Sequence, residues 1–209
     1  MTSYLEPAGY GCGEYTEKRS RFIGQLWPVH SESEALERIA VVKKEHYDAR
    51  HNCFAYVIRE SGTVRYGDDG EPQGTAGQPI LAVLNGAALQ NVCCTVTRYF
   101  GGVLLGTGGL VRAYTAAAKA ALAEAGVQRM ALWHSESLRC PYPMYERIRR
   151  LAEDSGAVIE STDYGADIAL SLLVPAENAG GFDAALREMS AGSIAAEKTG
   201  EVFRGVRIE

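Results

Sequence analysis

The sequence predicts a mixed α/β (α+β) chain of two domains. Short apolar segments rich in β-branched residues alternate with amphipathic helical segments along the chain. The 209 residues are 46% hydrophobic and 22% charged, a globular composition with enough length for two cores. We place the boundary at a seam without a long linker, which gives domains of residues 1–133 and 134–209.

The first domain is predicted to begin with a loose lead-in over residues 1–13. Ser31 and Glu34 form a capping-box pattern, Pro79 suits a helix start, and Gly126 suits a helix end. Apolar alternation predicts the strands, and a 3.6-residue period predicts the helices. Strands are expected over residues 22–29, 52–59, 63–66, 91–100 and 127–133, and helices over 32–46, 80–89 and 110–125.

The second domain shows a simple order of elements. Strands are expected over residues 134–140, 158–162, 168–174 and 194–208, and helices over 142–155 and 179–189. This order, β-α-β-β-α-β, is that of a ferredoxin-like domain.

Charge and cysteine usage limit the class of protein. The net charge is −5, and the acidic excess lies after residue 133, which argues against a strongly basic coat for nucleic acid but allows a local basic patch. The five cysteines include no C-x-x-C pair, the N-terminus has no signal-peptide pattern, and no apolar run reaches a membrane span of ~18–20 residues. We therefore expect a cytoplasmic protein without membrane association, metal or cofactor, and leave the oligomeric state open.

A glycine-rich segment after a buried strand is the strongest candidate site. Free N–H groups at the following helix start, together with arginines, suit a phosphate. The alternative is that the glycines only make tight turns. A P-loop is not supported, because Thr107 stands where that motif needs lysine. The predicted anion-binding residues are Arg98, Gly101, Gly102, Gly106, Thr107, Gly108, Gly109 and Arg112.

An acidic loop over residues 68–77 is the second candidate. Asp68, Asp69 and Glu71 could hold a hard cation or act as acid and base, with Gln73 and Thr75 beside them. The alternative, which we favour over a metal site, is that these carboxylates cap helices or pair with an arginine. A role as a binding loop is expected.

The remaining candidates are single residues. His51 is expected to line the site, whereas Cys53, two positions later in a strand, is expected to be a buried thiol rather than a nucleophile. Lys18 and Arg21 would extend the positive field. Tyr56, Tyr99 and Phe100 could stack a base, although strand alternation requires some of these aromatics to be core.

Four blocks of this sequence resemble the IMPACT-like (YigZ) family. They are KRSRF from Lys18, HNCFAY from His51, DDGEPQGTAGQP from Asp68, and VTRYFGGVLLGTGGLVR from Val96. The resemblance implies a first domain similar to domain 2 of ribosomal protein S5, with helices on one face of a sheet. It also implies a ferredoxin-like second domain similar to the last domain of elongation factor G.

These observations favour a non-catalytic protein that binds RNA or ribosome-associated partners and acts in translation or its regulation. One alternative is a metal-assisted enzyme acting on a small phosphorylated or nucleotide substrate, and no catalytic residue is assigned. The other alternative is a protein-interaction module that uses the acidic C-terminal domain. A fold similar to translation components does not by itself fix the function.

Overall fold

The protein is an α+β chain with two antiparallel sheets. Its structure, a computed structural model, describes residues 3–208, and side chains through residue 206. The chain divides into two compact units, mainly residues 4–129 and residues 130–206. The elements are β1 (Ser3–Pro7), β2 (Gly11–Glu17), β3 (Ser20–Pro28), α1 (Glu32–Glu45), β4 (His51–Ile58), β5 (Thr63–Gly67), α2 (Gly77–Gly86), β6 (Val92–Tyr99), α3 (Gly106–Ala125), β7 (Val127–Cys140), α4 (Tyr142–Asp154), β8 (Val158–Tyr164), β9 (Ile168–Pro175), α5 (Ala179–Met189) and β10 (Glu197–Ile208).

The sheet of the first unit has helices on both faces. Its strands lie in the order β2-β3-β6-β4-β5, and every neighbouring pair is antiparallel. Cys53 and Ala55 of β4 pack with α2 and α3, whereas Tyr56 and Ile58 of the same strand pack with α1. The expectation of helices on one face only is therefore wrong. Both faces of β4 are apolar, so each one needs a covering layer.

Helix α3 lies very close to the sheet. A Cβ atom on Gly24 of β3 would lie 2.3 Å from the carbonyl oxygen of Ala117 in α3. The alanine-rich face of α3 and the glycines of β2 and β3 thus allow an approach that larger side chains would prevent. This close packing positions α3, and with it the N-terminus of the helix, against the sheet.

Several predicted elements differ from the structure. The lead-in is wrong, because residues 3–7 and 11–17 form strands; residues 1 and 2 lie outside the described part. Helix α3 begins at Gly106, four residues before the predicted start, so three of the loop glycines lie in its first turn. The two strands predicted on either side of residue 133 are one continuous strand, β7, since no glycine or proline interrupts it.

The second unit has the predicted order of elements. Strand β7 pairs antiparallel with β9, and β9 pairs antiparallel with β8, while β10 pairs with the other edge of β7. Helices α4 and α5 cover one apolar face, where Leu138, Leu170 and Phe182 belong to one core. Across residues 3–208, no helix combines the length and apolarity needed to cross a bilayer.

Candidate functional site

A cleft of about 400 Å³ lies in the first unit, where β4, β6, the loop 68–76 and the start of α3 meet. Most of its lining surface is apolar, with a small number of polar groups, as in many small-ligand sites. The lining residues are Arg50, His51, Glu71, Pro72, Arg98, Phe100, Leu104, Leu105, Gly106, Thr107 and Leu110.

A buried ion pair lies on the cleft wall. Arg98 Nη1 donates to Glu71 Oε1 at 2.6 Å, and the two side chains are only 6% and 3% exposed. Tyr114 donates its hydroxyl to the same oxygen at 2.8 Å, and burial raises the pKa of this tyrosine, which keeps it a donor. The guanidinium lies 5.5 Å from the ring centres of Phe22 and Phe100. Its Nε–H is buried without a hydrogen-bond partner.

His51 lies directly opposite Arg98 in the pairing of β4 with β6. Its Nδ1 is 2.7 Å from the backbone oxygen of Asp69. A carbonyl oxygen only accepts, so Nδ1 carries the proton of this hydrogen bond. In the neutral ring Nε2 is then an acceptor, and it lies 3.8 Å from Glu71 Oε1 at the cleft wall.

The carboxylates of Asp68 and Asp69 hold the loop rather than line the cleft. Asp68 accepts backbone N–H bonds from Gly74, Ala76 and Gly77 at 2.8–3.1 Å, and thereby caps the start of α2. Asp69 accepts from the Asn52 backbone N–H and from Lys43, each at 2.7 Å. Within residues 3–208, no group of three or more His, Cys, Asp or Glu side chains could hold a metal ion.

We expect Asp69→Asn to destabilise the protein at neutral pH by about 1 kcal/mol, since a charge-assisted hydrogen bond and an ion pair are lost. Burial raises the pKa of Asp69, but the Lys43 and Asn52 hydrogen bonds outweigh it and hold the pKa below its usual value. This stabilisation is therefore present above the unfolded-state pKa and is lost as pH falls. Thermal melts should show the wild type and the variant converging in acid. A difference that is constant with pH would contradict this. Asparagine is chosen as the replacement because Asp69 has a φ of 43°, and asparagine tolerates this left-handed backbone conformation.

The N-terminus of α3 opens into the cleft without a side-chain cap. Leu105 occupies the cap position, and the first turn of this 20-residue helix contains no acidic residue. Gly106 and Thr107 line the cleft at this point. Their N–H groups and the helix dipole favour an anion. Arg98, whose Nε–H has no partner, lines the same cleft.

The structure brings together only part of the predicted site. Arg98, Gly106 and Thr107 line the cleft with His51 and Glu71. The segment from Arg98 to Arg112 contains no acidic residue, but the side chain of Glu71, from the loop 68–76, neutralises Arg98. The predicted anion site therefore has a carboxylate beside its arginine. The predicted residues that do not line the cleft are Lys18, Arg21, Asp68, Asp69, Gln73, Thr75, Gly101, Gly102, Gly108, Gly109 and Arg112.

Two arginines predicted for the site lie elsewhere in the unit. Arg21 pairs with Glu14, and its strand position is opposite Tyr99, on the sheet face away from Arg98. Arg112 is exposed and lies near Tyr15. Lys18 belongs to the two-residue β2–β3 turn, which has positive φ at both central residues and adjoins Gly101.

The aromatic candidates divide between the two faces of the sheet. Phe100 lines the cleft and is 43% exposed, so it is available for stacking. Tyr56 belongs to the core beneath α1 and donates to Glu32 at 2.7 Å. Tyr99 donates to Asp48 at 3.1 Å, also on the face away from the cleft. These two tyrosines therefore do not join Phe100.

Cys53 has the environment expected of a buried thiol. It is fully buried, and its thiol lies 3.0 Å from the backbone oxygen of Asp68 and 3.4 Å from the Tyr114 hydroxyl. Burial raises the pKa of this thiol to about 12, so the thiolate is disfavoured at neutral pH.

Several residues that line the cleft or contact its lining side chains had no assignment from sequence. Tyr114 lies on the buried face of α3, where a tyrosine among alanines is a signal that its hydroxyl needs a partner. Arg50 immediately precedes His51, and Leu104 at the cleft rim is 83% exposed, which is unusual for leucine.

Comparison with known proteins gives the family. Residues 18–122 match the Impact N-terminal domain, and residues 138–193 match a domain of unknown function, DUF1949. The chain is 38% identical to "IMPACT family member YigZ" of Escherichia coli, over 93% of this chain and 97% of that protein. It is 36% identical to "IMPACT family member YvyE" of Bacillus subtilis, over 92% and 89%. A crystal structure described as that of an hypothetical protein superposes with a TM-score of 0.61 at 36% identity, over 96% of this chain and 98% of that one. The chain therefore belongs to the IMPACT family, in the bacterial form that joins an Impact N-terminal domain to DUF1949.

Proposed function

We propose that this protein binds RNA without catalysis, with one nucleotide of a single-stranded segment in the cleft of the first unit. The observation that carries the proposal is the buried Arg98, whose Nε–H has no partner, beside the uncapped N-terminus of α3. Arg98, Gly106 and Thr107 line the same cleft, and their N–H groups are donors suited to a phosphate. Glu71 occupies Nη1 only, so it reduces the net charge without using all the donors of the guanidinium.

The rest of the cleft suits a base and the neighbouring chain. Phe100 offers an exposed ring, and the apolar side chains of Leu104 and Leu105 continue that surface. Arg50 lies at the cleft, while Lys18 and Arg19 lie in the turn that adjoins Gly101. Backbone contacts outside the cleft are expected from these basic residues.

A role in translation extends the proposal. We infer that the first unit is similar to domain 2 of ribosomal protein S5, and that the second is a ferredoxin-like domain similar to the last domain of elongation factor G. The β-α-β-β-α-β order and the neighbouring strands β10, β7, β9 and β8 support the second likeness. Ribosomal RNA or ribosome-associated proteins are the partners that this inference favours.

The test is fluorescence anisotropy with a labelled single-stranded RNA of about 10 nucleotides, within the range of sites for such binders. Arg98→Lys keeps a cation for Glu71 but removes the Nε–H and the planar fork, so we expect affinity to fall about 10-fold or more. The matched control is Arg150→Ala on α4 of the second unit, which is exposed and should leave affinity unchanged. Absence of RNA binding at low salt would overturn the proposal, as would equal effects of the two variants.

The second candidate is an enzyme acting on a small phosphorylated or nucleotide substrate. The observation in its favour is the Nε2 acceptor of His51 beside Glu71 in a cleft of small-ligand size. Asp68 and Asp69 do not serve this candidate, because their oxygens hold the loop. Release of phosphate or nucleoside from a nucleotide panel, lost in His51→Asn, would favour the enzyme over the binding protein.

A further inference from the structure

We propose that His51 and Arg98 together recognise a ribose 2′-hydroxyl next to its 3′-phosphate, so that the cleft selects RNA over DNA. This inference rests on the proposed function and specifies which chemical feature of the nucleotide the site recognises. It assigns to His51 the role of a specificity-determining residue.

The acceptor of His51 is fixed by its environment. The hydrogen bond of 2.7 Å to the Asp69 backbone oxygen places the ring proton on Nδ1, and the side chain is only 12% exposed. Nε2 therefore presents a lone pair from a constrained ring. Glu71 Oε1 lies 3.8 Å away but accepts from Arg98 and Tyr114, so it gives Nε2 no hydrogen. A ligand hydroxyl is the natural donor to this nitrogen.

The donor for the phosphate lies beside this acceptor. His51 and Arg98 are directly opposite each other on neighbouring strands, where side chains on one face lie side by side. Both reach the same oxygen of Glu71, at 3.8 Å and 2.6 Å. With the His51 ring in its neutral form, the site thus presents an acceptor nitrogen next to a cationic donor.

This pair of groups matches a feature that RNA has and DNA lacks. In a ribonucleotide the 2′-hydroxyl and the 3′-phosphate are on neighbouring carbons, so a donor and an anion lie side by side. The 2′-hydroxyl is the group that lets a protein distinguish RNA from DNA. With DNA, the acceptor of His51 would be covered without a partner, and sites built for a hydroxyl discriminate strongly against ligands that lack it.

The test compares three labelled single strands of one sequence: RNA, DNA and 2′-O-methyl RNA. For the wild type we expect RNA to bind about 10-fold or more tightly than either of the others, since both lack the hydroxyl donor. Unlabelled adenosine 3′-monophosphate and 5′-monophosphate serve as competitors. Stronger competition by the 3′ isomer would identify a free ribonucleotide as a source of the same chemistry, whereas equal, weak competition would identify the RNA chain.

Two substitutions separate the acceptor from its support. In His51→Asn the amide N–H lies near the position of Nδ1 and can still donate to the Asp69 carbonyl, but the Nε2 acceptor is gone. In His51→Gln the amide reaches the position of Nε2 and can accept there. We expect Asn to abolish the preference, so that RNA and DNA bind with equal affinity, and Gln to keep a preference for RNA.

The outcomes distinguish the two levels of the proposal. Equal affinity of the wild type for RNA and DNA would overturn the recognition of the 2′-hydroxyl and leave the phosphate site in place. A preference for RNA that survives His51→Asn would also overturn the role of His51. If no strand binds at low salt, the proposed function itself fails and the inference fails with it.

Discussion

Glu71→Ala is expected to lower the free energy of unfolding of the first unit by about 3–5 kcal/mol. The substitution leaves the buried guanidinium of Arg98 without its anion and the Tyr114 hydroxyl without its acceptor. The chain has two tryptophans, one in each unit, so a Trp133→Phe background makes Trp27 fluorescence report on the first unit during denaturation by urea. The midpoint should fall while the slope stays near that of the parent.

The reason for this loss is tested by a double substitution. If the penalty comes from an uncompensated buried charge, Arg98→Met should be costly alone, and Arg98→Met combined with Glu71→Leu should be far less destabilising than the sum of the single changes. Additive losses would show that the two side chains act independently.

Glu71→Gln offers a further contrast, because it keeps an acceptor for Arg98 while removing a repulsive charge. We expect it to bind RNA more tightly than the wild type and to fold less stably.

Local patterns in the sequence located part of the cleft. A buried strand with Arg98 near its end, followed by glycines and a helix start, is a contiguous signal, and it indicated Arg98, Gly106 and Thr107. The partner of the arginine is not local, since Glu71 lies 27 positions away and reaches it only through the folding of the loop 68–76. No spacing rule connects two such segments, so whether Arg98 is neutralised is decided by tertiary structure.

For two predicted residues that do not line the cleft, the sequence contained a signal of their placement. Strand alternation puts neighbouring residues on opposite faces, so Arg21 could not share a face with Phe22, the residue opposite Arg98. Arg112 falls outside the buried face of α3, which a 3.6-residue period would have indicated. To conclude that Arg21 and Arg98 lie on opposite faces, one must also know that Phe22 is paired with Arg98. That register of β3 with β6 depends on the whole sheet.

Gly101→Ala is expected to destabilise the first unit by about 2–4 kcal/mol, from a backbone clash and a strained hydrogen bond. A Cβ atom at this position would lie 2.1 Å from the carbonyl carbon of Arg19 and 2.3 Å from the backbone nitrogen of Ser20. These are backbone atoms next to a tight turn, so they cannot move aside as a flexible side chain would. The shift would also disturb the 3.1 Å bond from the Gly101 N–H to the Ser20 hydroxyl. Thermal and urea denaturation in the Trp133→Phe background measures the effect.

The matched control for Gly101→Ala is Gly108→Ala in the same glycine-rich segment. A Cβ atom on Gly108 meets only Arg112 Nη1 at 3.7 Å, an ordinary contact, and alanine is favoured over glycine in a helix by up to about 1 kcal/mol. We therefore expect a small gain in stability there, opposite in sign to the loss at Gly101. Equal effects at both positions would mean that the turn at Lys18 and Arg19 moves freely. Opposite signs would show that Gly101 is required by the close approach of the β2–β3 turn, whereas Gly108 in the same segment is not required for packing.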